Sequence, residues 1–186
     1  MGRQWPLLGV LLPALVLAAV DPGVDDSHWT SKYDRHFRKY AKHYFGPHVD
    51  WRWFKAQGIA ESNLKPRARS RLGARGIMQI LPSTFKEIKK LNPHLISIDD
   101  PTWNIAAGIY YDRQMYRKWD KGFPLRERLA FAFGSYNAGY GGLRKSYRKA
   151  VKHHGEVTVW NQVKDFAPRQ TRGYVHRIRK LMRQDQ

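Results

Sequence analysis

The chain contains no cysteine. Disulfides are therefore excluded, and so is anchoring through a lipid-modified N-terminal cysteine. Acidic residues are scarce too: 15 Asp plus Glu stand against 34 Lys plus Arg, for a formal charge of +19 and a pI near 10.4. Four of those acids are glutamates, Glu61, Glu87, Glu127 and Glu156. Alternating β-pattern is nearly absent, with "EVTVW" at 156–160 the one short candidate, and neither an internal repeat nor a low-complexity segment is found. These absences leave an all-α class.

A length of 186 residues suits one compact domain with a short extension. An apolar share of 42% and an aromatic share of 13% exclude a disordered chain. The basic excess attracts polyanions, whether nucleic acid, anionic lipid or acidic wall polymer, and charge alone does not choose among them. The N-terminal "MGRQWPLLGVLLPALVLAAV" narrows the choice. Arg3 gives a positive start, residues 7–20 form an apolar run, and Ala18-Ala19 supply small residues near its end, the pattern of a secretory signal. The competing reading is an uncut anchor, but the run carries Pro13 and falls short of the roughly 20 apolar residues a spanning helix prefers. We expect an export signal over 1–19, cut after Ala18 or Ala19, a linker over 20–30 and one domain over 31–186. Export places the protein in the periplasm or envelope, where it meets wall polymer and membrane surface before nucleic acid.

Tyr33, Phe37, Tyr40 and Tyr44 recur at helical spacing, and Gly46-Pro47 ends that helix. Asp50 is positioned to cap a second helix through "WRWFKAQGIAES". A third is expected from Pro82 to about Leu91, and a fourth from Asp100-Pro101 to near Lys121-Gly122. Leu125, Leu129, Phe133 and Tyr136 stripe a fifth that closes at Gly139. A sixth is expected over 143–153 and a last over 171–182.

The informative acid is Glu61. It ends the neutral stretch Gly58-Ile59-Ala60 and leads into a loop rich in arginine. Phe54, Gly58 and Glu61 fall at i, i+4 and i+7, so they share one helix face. Gly58, costly inside a helix, fits a close approach to the backbone one turn before Glu61. A carboxyl desolvated there holds its proton above the ~4.3 of a free Glu, as a general acid at neutral pH requires. The alternative is a structural Glu that caps the helix or pairs with the arginines at 67–75, and position alone leaves both open. The other three glutamates read as structural: Glu87 as a capping or surface-pair residue beside Lys90, Glu127 in a helix first turn, and Glu156 in a connection.

"ES" at 61–62, "GIMQI" at 76–80 with Pro82 and Thr84, "SYNAG" at 135–139 and "QTRGYV" at 170–175 stand in an ordered series. The series resembles the lysozyme-like catalytic domain of lytic transglycosylases. "KYDRHFRKYA" and "DWRWFKAQGIAES" are similar to the catalytic module of the membrane-bound lytic murein transglycosylase F branch. The resemblance runs from about Tyr33 to Met182. It implies cleavage of the β-1,4 bond between N-acetylmuramic acid and N-acetylglucosamine in peptidoglycan, with a 1,6-anhydro end. It also implies that Glu61 is the catalytic acid and then base. Ser70 corresponds to a serine that fixes the carboxylate and the acetamido group. Gln79 corresponds to a substrate-binding glutamine with Met78 beside it in the cleft. Tyr136 and Asn137 face the acid, and Gln170 and Tyr174 complete the implied substrate-binding set. The pattern departs at Leu81, where Met is frequent, and at Gln170, where Glu is frequent.

Ordinary glycosidases use two carboxylates about 5–9.5 Å apart. The four motifs hold one, so the resemblance fits a mechanism in which the sugar's own 6-hydroxyl replaces water. Should a second base be required, Asp99 and Asp100 are the first candidates. No His or Asp cluster has ligand spacing, so neither metal nor cofactor is expected. The expected partner is the glycan strand, held by a monomer, with anionic wall polymers or membrane surface nearby and no nucleic acid. The full-length relatives' solute-binding-like domain is not matched, which implies regulation by a partner or by location. The alternatives are a hydrolytic muramidase on the same fold, a basic nucleic-acid-binding module, and a wall-binding protein without catalysis.

Overall fold

The computed structural model describes residues 22–119 and 121–183. The expected export signal and its cleavage site lie outside the described residues. Seven α-helices are found among them: α1 (Asp34–Phe45), α2 (Arg52–Ser62), α3 (Pro82–Leu91), α4 (Pro101–Arg117), α5 (Leu125–Ala138), α6 (Tyr140–His154) and α7 (Arg169–Leu181). No strand occurs among the described residues; two isolated bridges, Arg69 with Arg75 and Arg75 with Ile80, tighten one loop. The short β-candidate at 156–160 instead leads into a 3-10 turn, Trp160–Gln162. Gln162 Oε1 accepts from the Thr158 and Val159 N–H groups and so replaces the ladder a strand would need.

Helix ends depart from the expected bounds by a few residues. The cap of α2 is Trp51, yet the Asp50 carboxylate still accepts from the Arg52 N–H at 3.0 Å, so it serves an orphan donor of the first turn. Helix α4 stops at Arg117, four residues short of Lys121. Gly139, at φ +73°, closes α5 and opens α6 at Tyr140 without a connecting loop. Helix α7 begins at Arg169 because Pro168 precedes it in extended backbone. The described part of the expected linker is not loose: Val24 is buried, its N–H bonds to Leu181 O at 2.9 Å, and Asp25 pairs with Arg52 at 2.8 Å.

Helix α4 packs against α1 and α5, while α2 packs against α1 and α7. Phe37, Phe54, Phe131 and Phe133 are wholly buried at the centre, each contributing about 1.5–3 kcal/mol by leaving water. Helix α2 is buried on nearly every side, from Trp53 to Ile59, rather than along one stripe. Its Lys55 is tolerated inside because Asp34 Oδ1 lies 2.8 Å from Nζ. Gly58 is where the core presses closest. A Cβ there would stand 3.0 Å from Phe37 and 3.1 Å from Leu64, so the close approach read from the sequence is made by core side chains.

Candidate active site

Glu61 occupies the last turn of α2, half-buried. Its Oε1 accepts from Tyr174 Oη of α7 at 2.6 Å, and no cation pairs with it among the described residues. Burial pushes its carboxyl up to about 7, against the smaller opposite effect of the Tyr174 hydrogen bond. Of the two sequence readings of this acid, the structure excludes the ion pair with the arginine loop. Two of those arginines, Arg69 and Arg75, pair instead with Asp99 at 3.4 and 3.1 Å.

The turn after Glu61 is fixed from three directions. Asn63 ends α2 in left-handed backbone, which asparagine tolerates. Ser62 Oγ donates to Ile77 O at 2.8 Å, tying the second motif to the first. Arg177 of α7 donates to Ala60 O and to Asn63 Oδ1, placing a cation at the helix C-terminus where the dipole favours it.

The loop at 76–80 is held by Asn104 of α4, which the sequence reading missed. Asn104 Oδ1 accepts from the Met78 N–H at 2.8 Å, and its Nδ2 donates to Arg75 O and Ile98 O. Gly76 has φ +75°, and a Cβ there would stand 2.5 Å from Asn104 Nδ2, so both torsion and space require glycine.

The other expected site residues divide into two groups. Tyr136 comes beside Glu61: it is deeply set, its hydroxyl donates to Met78 O at 2.7 Å, and burial first, then the charge of Glu61, pushes its phenol well up. Asn137 Oδ1 accepts from Thr171 Oγ1 at 2.9 Å, joining the third motif to the fourth. Gln79 is half-buried at φ +46°, with Nε2 spent on Ala68 O and Gly76 O. The Met78 side chain is wholly buried against Gly108, so its backbone, not its thioether, faces Tyr136. Ser70 and Gln170 are exposed and neither bonds to Glu61. Ser70 Oγ accepts from the Ala74 N–H at 3.0 Å and closes a turn of the arginine loop.

Neither Asp99 nor Asp100 is placed as a base. Asp99 bridges arginines, and Asp100 caps α4 by accepting from the Thr102 and Trp103 N–H groups. The second carboxyl of the site is Asp112, fully buried on α4 and electrostatically coupled to Glu61. Ile105, Ile109, Asp112 and Tyr116 repeat at core spacing, a partial signal that the polar residues around Asp112 obscure in the sequence. Glu127 is more than a first-turn charge, since its Oε2 accepts from the Trp160 N–H at 2.6 Å and its Oε1 lies 3.7 Å from Arg179.

Residues 37–158 match the transglycosylase SLT domain. Among curated relatives, membrane-bound lytic murein transglycosylase F of Vibrio campbellii is 31% identical over 145 residues, covering 77% of this chain and 25% of its own length. The Pseudomonas fluorescens protein of the same name is 33% identical over 138 residues, covering 74% and 27%. The chain thus spans about a quarter of the length of the curated relatives it matches. Among solved structures, the 70 kDa soluble lytic transglycosylase of Escherichia coli aligns over 82% of this chain and 24% of its own, with TM-score 0.65 at 24% identity. An inactive mutant of lytic transglycosylase Slt from Pseudomonas aeruginosa aligns over the same shares, with TM-score 0.66 at 23% identity. These two likenesses show the lysozyme-like fold. By its matched region and its relatives, the chain belongs to the transglycosylase SLT domain family.

Proposed function

We propose that the protein is a peptidoglycan lytic transglycosylase in which Glu61 is the acid and then the base. The observation that carries this reading is a half-buried carboxyl, paired with no cation among the described residues, whose burial pushes its pKa up to about 7. Such an acid donates to the glycosidic oxygen between N-acetylmuramic acid and N-acetylglucosamine as the C1–O bond breaks, releasing the 4-hydroxyl of N-acetylglucosamine. The resulting Glu61 carboxylate takes the proton of the muramic 6-hydroxyl, whose oxygen bonds to C1. Glu61 ends protonated, no water is consumed, and the product carries a 1,6-anhydro ring. The Tyr174 hydrogen bond favours the carboxylate stage and fixes the oxygen that receives the proton.

Tyr136, which interacts with Glu61, and Asn137, bonded to Thr171 of α7, are assigned to the sugar on either side of the bond, with Gln79 a further contact. Ser70 and Gln170 belong to the rim, where exposed side chains meet the flanking strand. Asp112 supplies no base for hydrolysis, because a fully buried carboxyl has no path to a water on the open face of the sugar. The chain's location follows the reading: residues 1–19 export it, 31–186 catalyse, and the basic surface meets anionic wall polymer. No described helix is long and apolar enough to cross a membrane. Mass spectrometry of purified sacculi treated with wild type and Glu61→Gln tests the assignment. Anhydromuropeptides released by wild type alone support it, and equal release by the variant removes Glu61 from the mechanism.

A further inference from the structure

Asp112 is a buried acid that no step of this reaction uses. Its Oδ1 accepts from Gln57 Nε2 at 3.0 Å, and both residues are fully buried. Gln57 lies four residues before Glu61, one turn away on the same side of α2. The titratable groups facing Asp112 are Glu61 from α2, Tyr136 from α5, Tyr174 from α7 and its neighbour Tyr111 on α4. All are acids or phenols, and no cation among the described residues acts on Asp112. An anion there would have one amide donor, an Oδ2 with no hydrogen-bond partner among the described residues, and a second acid nearby. Burying a charge so poorly compensated costs several kcal/mol, so the group keeps its proton instead. Burial and then the charge of Glu61 push it well above the carboxylate range, with Gln57 opposing.

We propose that Asp112 is a positioning residue for Glu61: a buried acid that anchors Gln57, and through it the α2 turn that aims the catalytic carboxyl. The inference rests on Glu61 being the acid and base. Neutrality matters as much as the anchor. With Asp112 uncharged, the site alternates between zero and one negative charge as Glu61 works, and Glu61 alone sets the alkaline limb of activity. An ionised Asp112 would disfavour the Glu61 carboxylate that must form when the acid gives up its proton to the glycosidic oxygen.

The two halves of the proposal separate by substitution in the full chain, with kcat, KM and pH profile measured on sacculi. Asp112→Asn mimics the neutral acid, offering an oxygen to Gln57 and an amino group where the hydroxyl stands. It should keep kcat within about threefold of wild type and leave the alkaline limb in place. Asp112→Leu and Gln57→Leu should each lower kcat by about tenfold or more at nearly constant KM. The double variant should be no worse than either single one, because both break the same contact. An alkaline limb displaced to lower pH in Asp112→Asn would show that Asp112 is charged in the working range and would overturn the proposal. Wild-type kcat in the leucine variants would overturn it as well. Should Asp112→Leu lose its circular-dichroism signature of folding, Gln57→Leu decides the anchor by the same split, since it leaves Asp112 in place. Failure of the underlying reading looks different: wild type would release nothing, or Glu61→Gln would stay active.

Discussion

Tyr174 Oη donates to Glu61 Oε1 at 2.6 Å, joining α7 to α2 across 113 residues of chain. Thr171 and Arg177, one turn either side of Tyr174, bond to Asn137 and to the end of α2. One face of α7 therefore holds the turn that carries Glu61 in register while a phenol hydrogen bonds to the acid. Removing that phenol has a definite sign. The bond favours the carboxylate, so Tyr174→Phe should raise the Glu61 pKa and move the alkaline limb of activity upward, by up to about one pH unit. The rate should fall about tenfold, because the carboxylate that accepts the 6-hydroxyl proton loses a charge-assisted hydrogen bond. A pH–rate profile of the variant reads both effects together.

The raised pKa of Glu61 is also a statement about stability. From an ordinary 4.5 to about 7, the folded chain binds a proton that the unfolded chain has released. The stabilisation is fully present below pH 4.5 and is lost as pH rises through 7. Glu61→Gln removes the group, so the variant should exceed wild type by up to about 3 kcal/mol at pH 8 and match it near pH 4. Thermal melts at the two pH values check this, and an equal shift at both would mean that the gain is not electrostatic.

Much of this site was legible because Glu61 breaks an apolar helix face, and burial of an unpaired acid is a local property of that face. Asp112 was not, although it follows the same rule on α4. "YYDRQMYRKW" is rich in polar groups, and only the packing of α4 against α1 and α5 decides which of them face inward. Asn104 was missed for a related reason: its three partners, Arg75, Met78 and Ile98, are remote in sequence or outside any helix. The helix set was readable from the 3.6-residue period, whereas ends such as Arg117 depend on tertiary contact. Met78 shows the limit of motif reasoning, since its place in the motif is kept by a backbone carbonyl beneath Tyr136 rather than by its side chain.

The Asn104 bracket carries its own prediction. Asn104→Ala would leave the buried Met78 N–H without its acceptor and release two carbonyls, costing about 2 kcal/mol or more. A chain of this size should melt roughly 4–8 °C lower. Gly76→Ala should fail similarly, through the left-handed torsion and the 2.5 Å approach to Asn104. Calorimetry on both variants, with activity per folded molecule, tests whether the loop at 76–80 is held as described.

Binding to the wall should depend on salt, and unequally among the loop arginines. Arg67 and Arg71 carry no ion pair among the described residues, while Arg69 and Arg75 share Asp99. Long-range attraction is screened within about 10 Å at 0.1 M salt, so sacculus binding should weaken steadily as salt rises. Arg67→Ala and Arg71→Ala should weaken it more than Arg69→Ala. Sedimentation with sacculi measures this, and binding unchanged up to about 0.5 M salt would assign the basic surface to another purpose.

The central claim is that the muramic 6-hydroxyl, deprotonated by Glu61, attacks in place of water. A well-oriented group in the same ring behaves as if present at roughly 10⁵ M or more, against about 55 M for water. Asp112, fully buried, offers water no base to redress that ratio. Digestion of sacculi in ¹⁸O-labelled water, followed by mass spectrometry of the new sugar ends, measures the competition directly. The account predicts unlabelled 1,6-anhydro ends as the dominant product; labelled reducing muramic ends in the majority would contradict it.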